Sequence, residues 1–265
     1  MIKNNWRIKI NVLPSIITRK NGVTIAYDYI SGKSPGVIFL PGLKSNMLGI
    51  KAEAVRSFCE KRGQAFLRFD YTGHGQSSGS FEDGSIGAWL TDTIFVLEEL
   101  AIGPQLLVGS SMGGWIMLLV ALQKPERIAA MIGLAAAPDF TENLIWRKFD
   151  NNQKARIKKD GYIDLPNCYD IADPYRITYK LIKDGRRHLI LKNQIPINIP
   201  IRLIHGICDN DVPYTLSQKL LEKMQSNDIE IILTKQGDHR LSSKTDLKRL
   251  SVVLKELLNQ VEKSL

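Results

Sequence analysis

Seven short apolar runs, separated by helix-like stretches, constrain the fold of this 265-residue chain more than any other feature. The runs are GVTIAYDYI (22–30), GVIFLP (36–41), AFLRFD (65–70), QLLVGS (105–110), RIAAMIGLAA (127–136), IRLIHG (201–206) and EIILTK (230–235). The first alternates with period two. The others are continuous, which marks strands buried on both faces and hence a parallel sheet. Helical patterns fall between them, near 46–62, 86–102, 112–123, 214–226 and 245–264. Strand and helix in alternation predict one α/β domain over 1–265, built on a doubly wound, mostly parallel sheet. One connection breaks the rhythm. From Pro138 to about Ile199 the chain is polar, mixed with aromatic residues, and shows no obvious sheet strand. Such a length exceeds a simple crossover, so residues 139–199 are expected to form a small lid over the carboxyl edge of the sheet.

The runs are too short to span a membrane. The first twenty residues lack the apolar core of a secretory signal, although they carry five basic residues and no acid. Cys59, Cys168 and Cys208 are scattered without C-x-x-C spacing, which argues against a disulfide framework or a zinc site. A reducing compartment is expected, the cytoplasm first, with a mitochondrion left open. The net charge of +9 could attract nucleic acid. The basic residues are dispersed, however, apart from the N-terminus and a loose set at Arg147, Lys148, Lys154, Arg156, Lys158 and Lys159, with no aromatic interleaving for base stacking. No nucleic-acid partner is expected.

The stretch LLVGSSMGGW (106–115) places two serines among glycines. Only one register satisfies G-x-S-x-G, namely Gly109-Ser110-Ser111-Met112-Gly113, so Ser111 is the candidate nucleophile. It lies between the run QLLVGS and a helical pattern, the strand–turn–helix context that exposes a serine at a sheet edge. A plain Gly/Ser turn would look similar on the motif alone. A serine needs a base. Of four histidines, His74 lies in a turn and is expected to bond neighbouring backbone, His188 is in the insertion, and His205 ends a strand as a core histidine would. His239 follows the last strand on a loop at the carboxyl edge and is the expected base. The acid lies between them in the order Ser…Asp…His. HGICDNDVP (205–213) offers Asp209 and Asp211; Asp209 leads, with Asp211 and Asp139 as rivals. Oxyanion donors are expected from the Met112 N–H at the helix start and from the Leu43 N–H after Pro41-Gly42.

FLPGLKSN, FDYTGHGQSSG, LLVGSSMGGW, HGICDNDVP and GDHRLS together resemble the α/β-hydrolase superfamily, along essentially the whole chain. More narrowly, the long stretch from VGSSMGGW to LAAAPDF, together with IPIRLIHGICDNDVP and GDHRLS, is similar to serine hydrolases of the abhydrolase-domain-ten type and their bacterial relatives. That group is described as palmitoyl-protein thioesterases and acyl-glucuronide esterases. The resemblance implies a nucleophile at Ser111, an acid at Asp209 and a base at His239. One departure stands out. Pro41-Gly42 replaces the His-Gly of many relatives, and the H-G-G-G loop of many lipases is absent, so a bulky lipase-style oxyanion pocket is not expected.

The chain is therefore expected to be a serine hydrolase of carboxylic esters or thioesters working through an acyl-serine, without metal or organic cofactor. Its partner would be a small-molecule acyl ester or thioester, or an acylated protein. Carbon–carbon bond hydrolases and perhydrolases share the triad and remain alternatives, as does a non-catalytic binding protein on the same scaffold. An aspartate-nucleophile enzyme is disfavoured by serine at the elbow. Aromatic and apolar residues of the insertion (Phe140, Ile145, Trp146, Phe149, Tyr162, Ile163, Leu165, Tyr169, Tyr175 and Tyr179) are divided between anchoring it to the sheet and lining an acyl pocket.

Overall fold

The computed structural model describes residues 14–166 and 174–264; the basic N-terminal stretch in large part, Cys168 and Tyr169 fall outside them. An eight-stranded sheet is built from β1 (Ser15–Thr18), β2 (Thr24–Ile30), β3 (Lys33–Leu40), β4 (Gln64–Phe69), β5 (Gln105–Ser110), β6 (Ile128–Leu134), β9 (Ile201–Gly206) and β10 (Ile229–Thr234). The spatial order is β1-β2-β4-β3-β5-β6-β9-β10. β1 pairs antiparallel with β2, and β2 with β4; from β4 through β10 every pairing is parallel.

Alternation across the sheet explains why the central runs are apolar throughout. Val37 and Phe39 of β3, Leu106 and Val108 of β5, and Ala130 and Ile132 of β6 face one way. They pack against Ala52, Val55 and Cys59 of α1 (Ile50–Arg62) and against Leu250, Leu254, Leu257 and Leu258 of α7 (Lys244–Glu262). Ile38, Leu40, Leu107 and Met131 belong to the core on the other side, with α2 (Ile86–Leu100), α3 (Met112–Gln123) and α6 (Thr215–Lys223). α3 sits deepest: Trp115 to Leu118 are wholly buried, so its sequence reads as apolar all round rather than amphipathic.

The helix ends carry their own signals. Ser85 caps α2 through the Ala88 N–H, and Ser243 with Asp246 forms a capping box at α7. Gly63 ends α1 in the left-handed region, at φ 70°, where a side chain would be strained.

Between β6 and β9 the chain leaves the sheet. It forms a π-turn over Thr141–Ile145, a helix α4 (Asn151–Asp160), an antiparallel pair β7 (Tyr162–Leu165) and β8 (Tyr175–Thr178), and a short helix α5 (Tyr179–Gly185). The segment, where no sheet strand was obvious in the sequence, adds none to the main sheet, but β7 and β8 form a small sheet of their own. Asp139 ties the segment down at both ends. Its buried carboxylate accepts the Ile190 N–H at 2.9 Å and the Leu191 N–H at 3.0 Å. Burial raises the Asp139 pKa, and those two N–H bonds oppose the rise. Arg186 pairs with Glu142 at 2.7 Å and lies 4.5 Å from the Trp146 ring centre. None of the helices in the described residues is long and apolar enough to cross a membrane.

Candidate active site

Loops leaving the carboxyl ends of β3, β5, β6, β9 and β10 converge on one edge of the sheet. The β5 loop is the tightest. Ser111 holds φ 53° and ψ −117°, a conformation L-residues rarely adopt, and α3 begins at the next residue. Small flanks are mandatory here. A Cβ on Gly109 would lie 2.6 Å from the Gly113 carbonyl oxygen, and one on Gly113 would lie 2.1 Å from the Leu40 carbonyl oxygen. The turn is held by the Ser111 N–H on the Leu134 carbonyl at 2.9 Å and by the Ala137 N–H on the Ser111 carbonyl at 3.0 Å. Ser110, by contrast, ends β5 and is buried.

His239 Nε2 lies 3.1 Å from Ser111 Oγ, and His239 Nδ1 lies 2.8 Å from Asp209 Oδ2. A carboxylate only accepts, so Nδ1 carries the hydrogen and Nε2 presents its lone pair to the serine hydroxyl. The three residues are thus brought into one hydrogen-bonded line. Asp211 and Asp139 are not in it: Asp211 donates its N–H to Asp209 Oδ1 at 2.9 Å, and Asp139 serves the insertion.

Asp209 has more partners than the sequence pattern suggested. Oδ1 also accepts the Val212 N–H at 2.8 Å, and Oδ2 lies 3.2 Å from Nε2 of the fully buried His205. His205 is placed by Ser217 Oγ at 2.7 Å and the Val212 carbonyl at 3.0 Å. Burial alone would raise the Asp209 pKa, but hydrogen bonds from His205 and His239, the imidazole charge and the Val212 N–H hold it far below the usual carboxylate range. The i, i+4 spacing of His205 and Asp209 in HGICD was the available signal for this pair.

Acid and base loops are stitched by the Cys208 N–H on the Gly237 carbonyl at 2.9 Å and the Ile207 N–H on the Thr234 carbonyl at 2.9 Å. Gly206 permits that approach, since a Cβ there would meet the Gly237 oxygen at 2.1 Å.

Ser111 and His239 open into a cavity of about 560 Å³. Leu43 and Met112 border it beside Ser111. Met112 is the first residue of α3, so its N–H has no acceptor within the helix. One wall is apolar and comes largely from the insertion: Phe140, Leu144, Ile145, Leu165, Tyr175 and Ile177. Trp146, Phe149, Tyr162, Ile163 and Tyr179 are not in that wall; Ile163 and Phe149 belong to the buried core beneath it. The lining also includes Lys51, at the start of α1, whose Nζ donates to the Arg240 carbonyl. Burial lowers the Lys51 pKa to about 8, with Asp238 raising it, Arg240 lowering it and Asp209 raising it again. No motif in the sequence drew attention to Lys51.

Asp209, Asp211 and His239 each offer one potential ligand atom within 4.8 Å of the others. A metal held there would compete with the hydrogen that Nδ1 gives to Asp209. The donor set is better matched to a proton relay than to a cation.

With this geometry in view, the wider likeness is informative. The family model described as the alpha/beta hydrolase fold matches residues 35–160. The palmitoyl-protein thioesterase ABHD10, mitochondrial, of Mus musculus is 40% identical over 93% of this chain and 83% of its own length. This chain belongs to the α/β-hydrolase family. Among solved structures, the mouse alpha/beta hydrolase domain-containing protein 10 has a TM-score of 0.88 at 39% identity, covering 94% of this chain and 99% of its own. A putative hydrolase from Agrobacterium vitis S4 has a TM-score of 0.88 at 32% identity, covering 92% and 98%.

Proposed function

We propose that this chain is a serine hydrolase that cleaves acyl thioesters and esters, with Ser111 as nucleophile, His239 as general base and Asp209 as the acid that orients it. The observation carrying the reading is the unbroken line from Ser111 Oγ through His239 to Asp209, at 3.1 and 2.8 Å, on a strained strand-to-helix turn. As Oγ attacks the acyl carbon, Nε2 takes its proton and Asp209 stabilises the imidazolium. The N–H groups of Leu43 and Met112 receive the negative charge that develops on the carbonyl oxygen. The tetrahedral species collapses, the thiol or alcohol leaves with the proton from Nε2, and an acyl-serine remains. Water activated by the same imidazole then releases the acid.

Residues 139–199 serve as a lid within a single domain, and the apolar wall receives the acyl chain. The mouse relative is named a palmitoyl-protein thioesterase, and a cavity with one apolar wall suits a medium or long acyl group carried by a protein or a small molecule. Cysteine usage supports a reducing compartment, cytoplasmic or mitochondrial.

A fluorophosphonate probe is expected to label Ser111 alone, and Ser111→Ala to abolish both labelling and turnover. On a series of p-nitrophenyl esters and matching thioesters, kcat/KM is expected to rise from acetyl to at least hexanoyl, since each buried methylene contributes ~0.8 kcal/mol. Labelling that survives Ser111→Ala, or kcat/KM that falls steadily from acetyl upward, overturns the nucleophile or the acyl pocket respectively.

A further inference from the structure

The proposed chemistry makes no use of the buried His74. His74 lies in the loop after β4 and is only 4% exposed. Its Nδ1 is 3.2 Å from the Thr72 carbonyl oxygen, and its Nε2 is 3.1 Å from the backbone nitrogen of Lys44. A carbonyl only accepts and a peptide N–H only donates, so the tautomer is determined: Nδ1 carries the hydrogen and Nε2 is an acceptor. Tyr71, Phe81 and Trp89 surround the ring edge to face, with centres 5.6, 5.4 and 5.2 Å away. Burial lowers the His74 pKa to about 4, against the opposing pull of the Thr72 carbonyl, so the ring is neutral at ordinary pH.

The bond's other end is what gives it meaning. Lys44 follows Leu43 directly and has φ 57°, a left-handed conformation that a lysine adopts only when held. The peptide linking Leu43 to Lys44 is the one His74 grips. Further along the same loop, Asp70 Oδ1 accepts the Met47 N–H at 2.7 Å, while its Oδ2 accepts the Gln76 N–H at 2.8 Å. The Ser45 N–H closes the turn on the Gly42 carbonyl at 3.1 Å. The loop after β4 therefore braces the loop after β3 at two points, and the His74 brace acts on Lys44, which lines the cavity with Ser111.

We infer that His74 is a positioning residue for the proposed hydrolysis: as a neutral hydrogen-bond acceptor on the Lys44 N–H, it keeps the Leu43 N–H aimed at the developing oxyanion, and it transfers no proton. This rests on the oxyanion role proposed for Leu43. An acceptor at that spot, rather than an imidazole as such, is then the requirement.

Three variants separate the possibilities. His74→Gln places an amide oxygen near the position of Nε2; His74→Met has the same length without a strong acceptor; His74→Phe keeps a ring in the aromatic cage. Active sites are counted by fluorophosphonate titration, so that only competent molecules enter kcat. The Met and Phe variants are expected to lose on the order of 10–100-fold in kcat, with KM changed by less than about threefold, because misplacing an oxyanion donor weakens the transition state rather than substrate binding. The Gln variant is expected to recover most of that loss. Affinity for a trifluoromethyl ketone, whose adduct with Ser111 places an oxyanion in the same pocket, is expected to fall in step with kcat/KM. Equal kcat and equal ketone affinity in the Met and Gln variants would overturn the inference, as would a loss confined to thermal stability. The Gln–Met pair keeps the comparison intact if the Phe variant does not fold. Ser111→Ala in parallel keeps the two readings apart: turnover surviving in it sinks the serine hydrolase itself, whereas a dead Ser111→Ala beside matched Met and Gln variants sinks only the role of His74.

Discussion

At the scale of single residues, Asp209 gathers several partners at the carboxyl edge of the sheet. Its two oxygens take hydrogen bonds from the Asp211 and Val212 N–H groups and from the rings of His205 and His239. Two N–H bonds on Oδ1 leave Oδ2 facing His239, so in its proposed role the aspartate orients the proposed base without needing to move. Asp209→Asn keeps the size but turns an acceptor into a possible donor opposite Nδ1, which favours the wrong imidazole tautomer. A fall in kcat on the order of 10³–10⁴-fold is expected, with the far-UV spectrum unchanged. Asp211→Asn, measured alongside, is expected to stay within about tenfold of the parent. If instead Asp211→Asn is the variant that dies, the acid has been assigned to the wrong position in HGICDNDVP.

At the scale of elements, the insertion hangs from Asp139 as much as it packs by apolar contact. This aspartate has φ 58°, is buried, and bonds to two consecutive N–H groups 51 and 52 residues further along the chain. Asp139→Asn must turn its amide so that one N–H loses its acceptor, which costs roughly 1–3 kcal/mol. A fall of several degrees in the melting temperature is expected, with kcat held within about tenfold because Ser111 and His239 are untouched. A triad-sized loss of kcat in a variant that remains stable would instead make Asp139 part of the chemistry. The strands and helices that carry the triad were legible in the sequence because sheet burial writes itself as unbroken apolar runs: Val37 to Leu40 and Leu106 to Val108 face both cores in turn. G-x-S-x-G was legible for a steric reason, since only hydrogen fits where Gly109 meets Gly113. What stayed hidden lacks that kind of imprint. β7 and β8 are four residues each, with only Ile163 and Ile177 buried, which is too short for a period to show. The contacts of Lys51 with Arg240 and of His74 with Lys44 join parts of the chain 189 and 30 residues apart, and pairing across such distances leaves no local pattern.

At the scale of the whole molecule, strained non-glycine backbone is confined, among the described residues, to a few positions on loops that follow strands. Among the described residues, the non-glycine positions with positive φ are Lys44, Ser111, Ala135, Asp139 and Leu241. They sit on the loops after β3, β5, β6 and β10; Lys44 and Ser111 line the cavity that holds His239, whereas Asp139 lines a separate one. Hydrogen bonds hold several of these conformations in place: the Ser111 N–H on the Leu134 carbonyl, the Ala135 N–H on the Ile204 carbonyl, and the Ile190 and Leu191 N–H groups on the Asp139 carboxylate. This sets durability against turnover. Ser111 occupies a backbone shape that glycine would accept without penalty, at the one position where glycine cannot do chemistry. Ser111→Gly is therefore expected to be inert and yet to melt roughly 1–4 °C higher than the parent, the relief of strain outweighing the extra freedom of the unfolded chain. A lower melting point would mean that the hydroxyl's bond to His239 contributes more than the turn costs. With Ser111 as the proposed nucleophile, the protein is expected to wear out sooner than its Ser111→Gly twin, its working lifetime limited by the residue proposed to give it work to do.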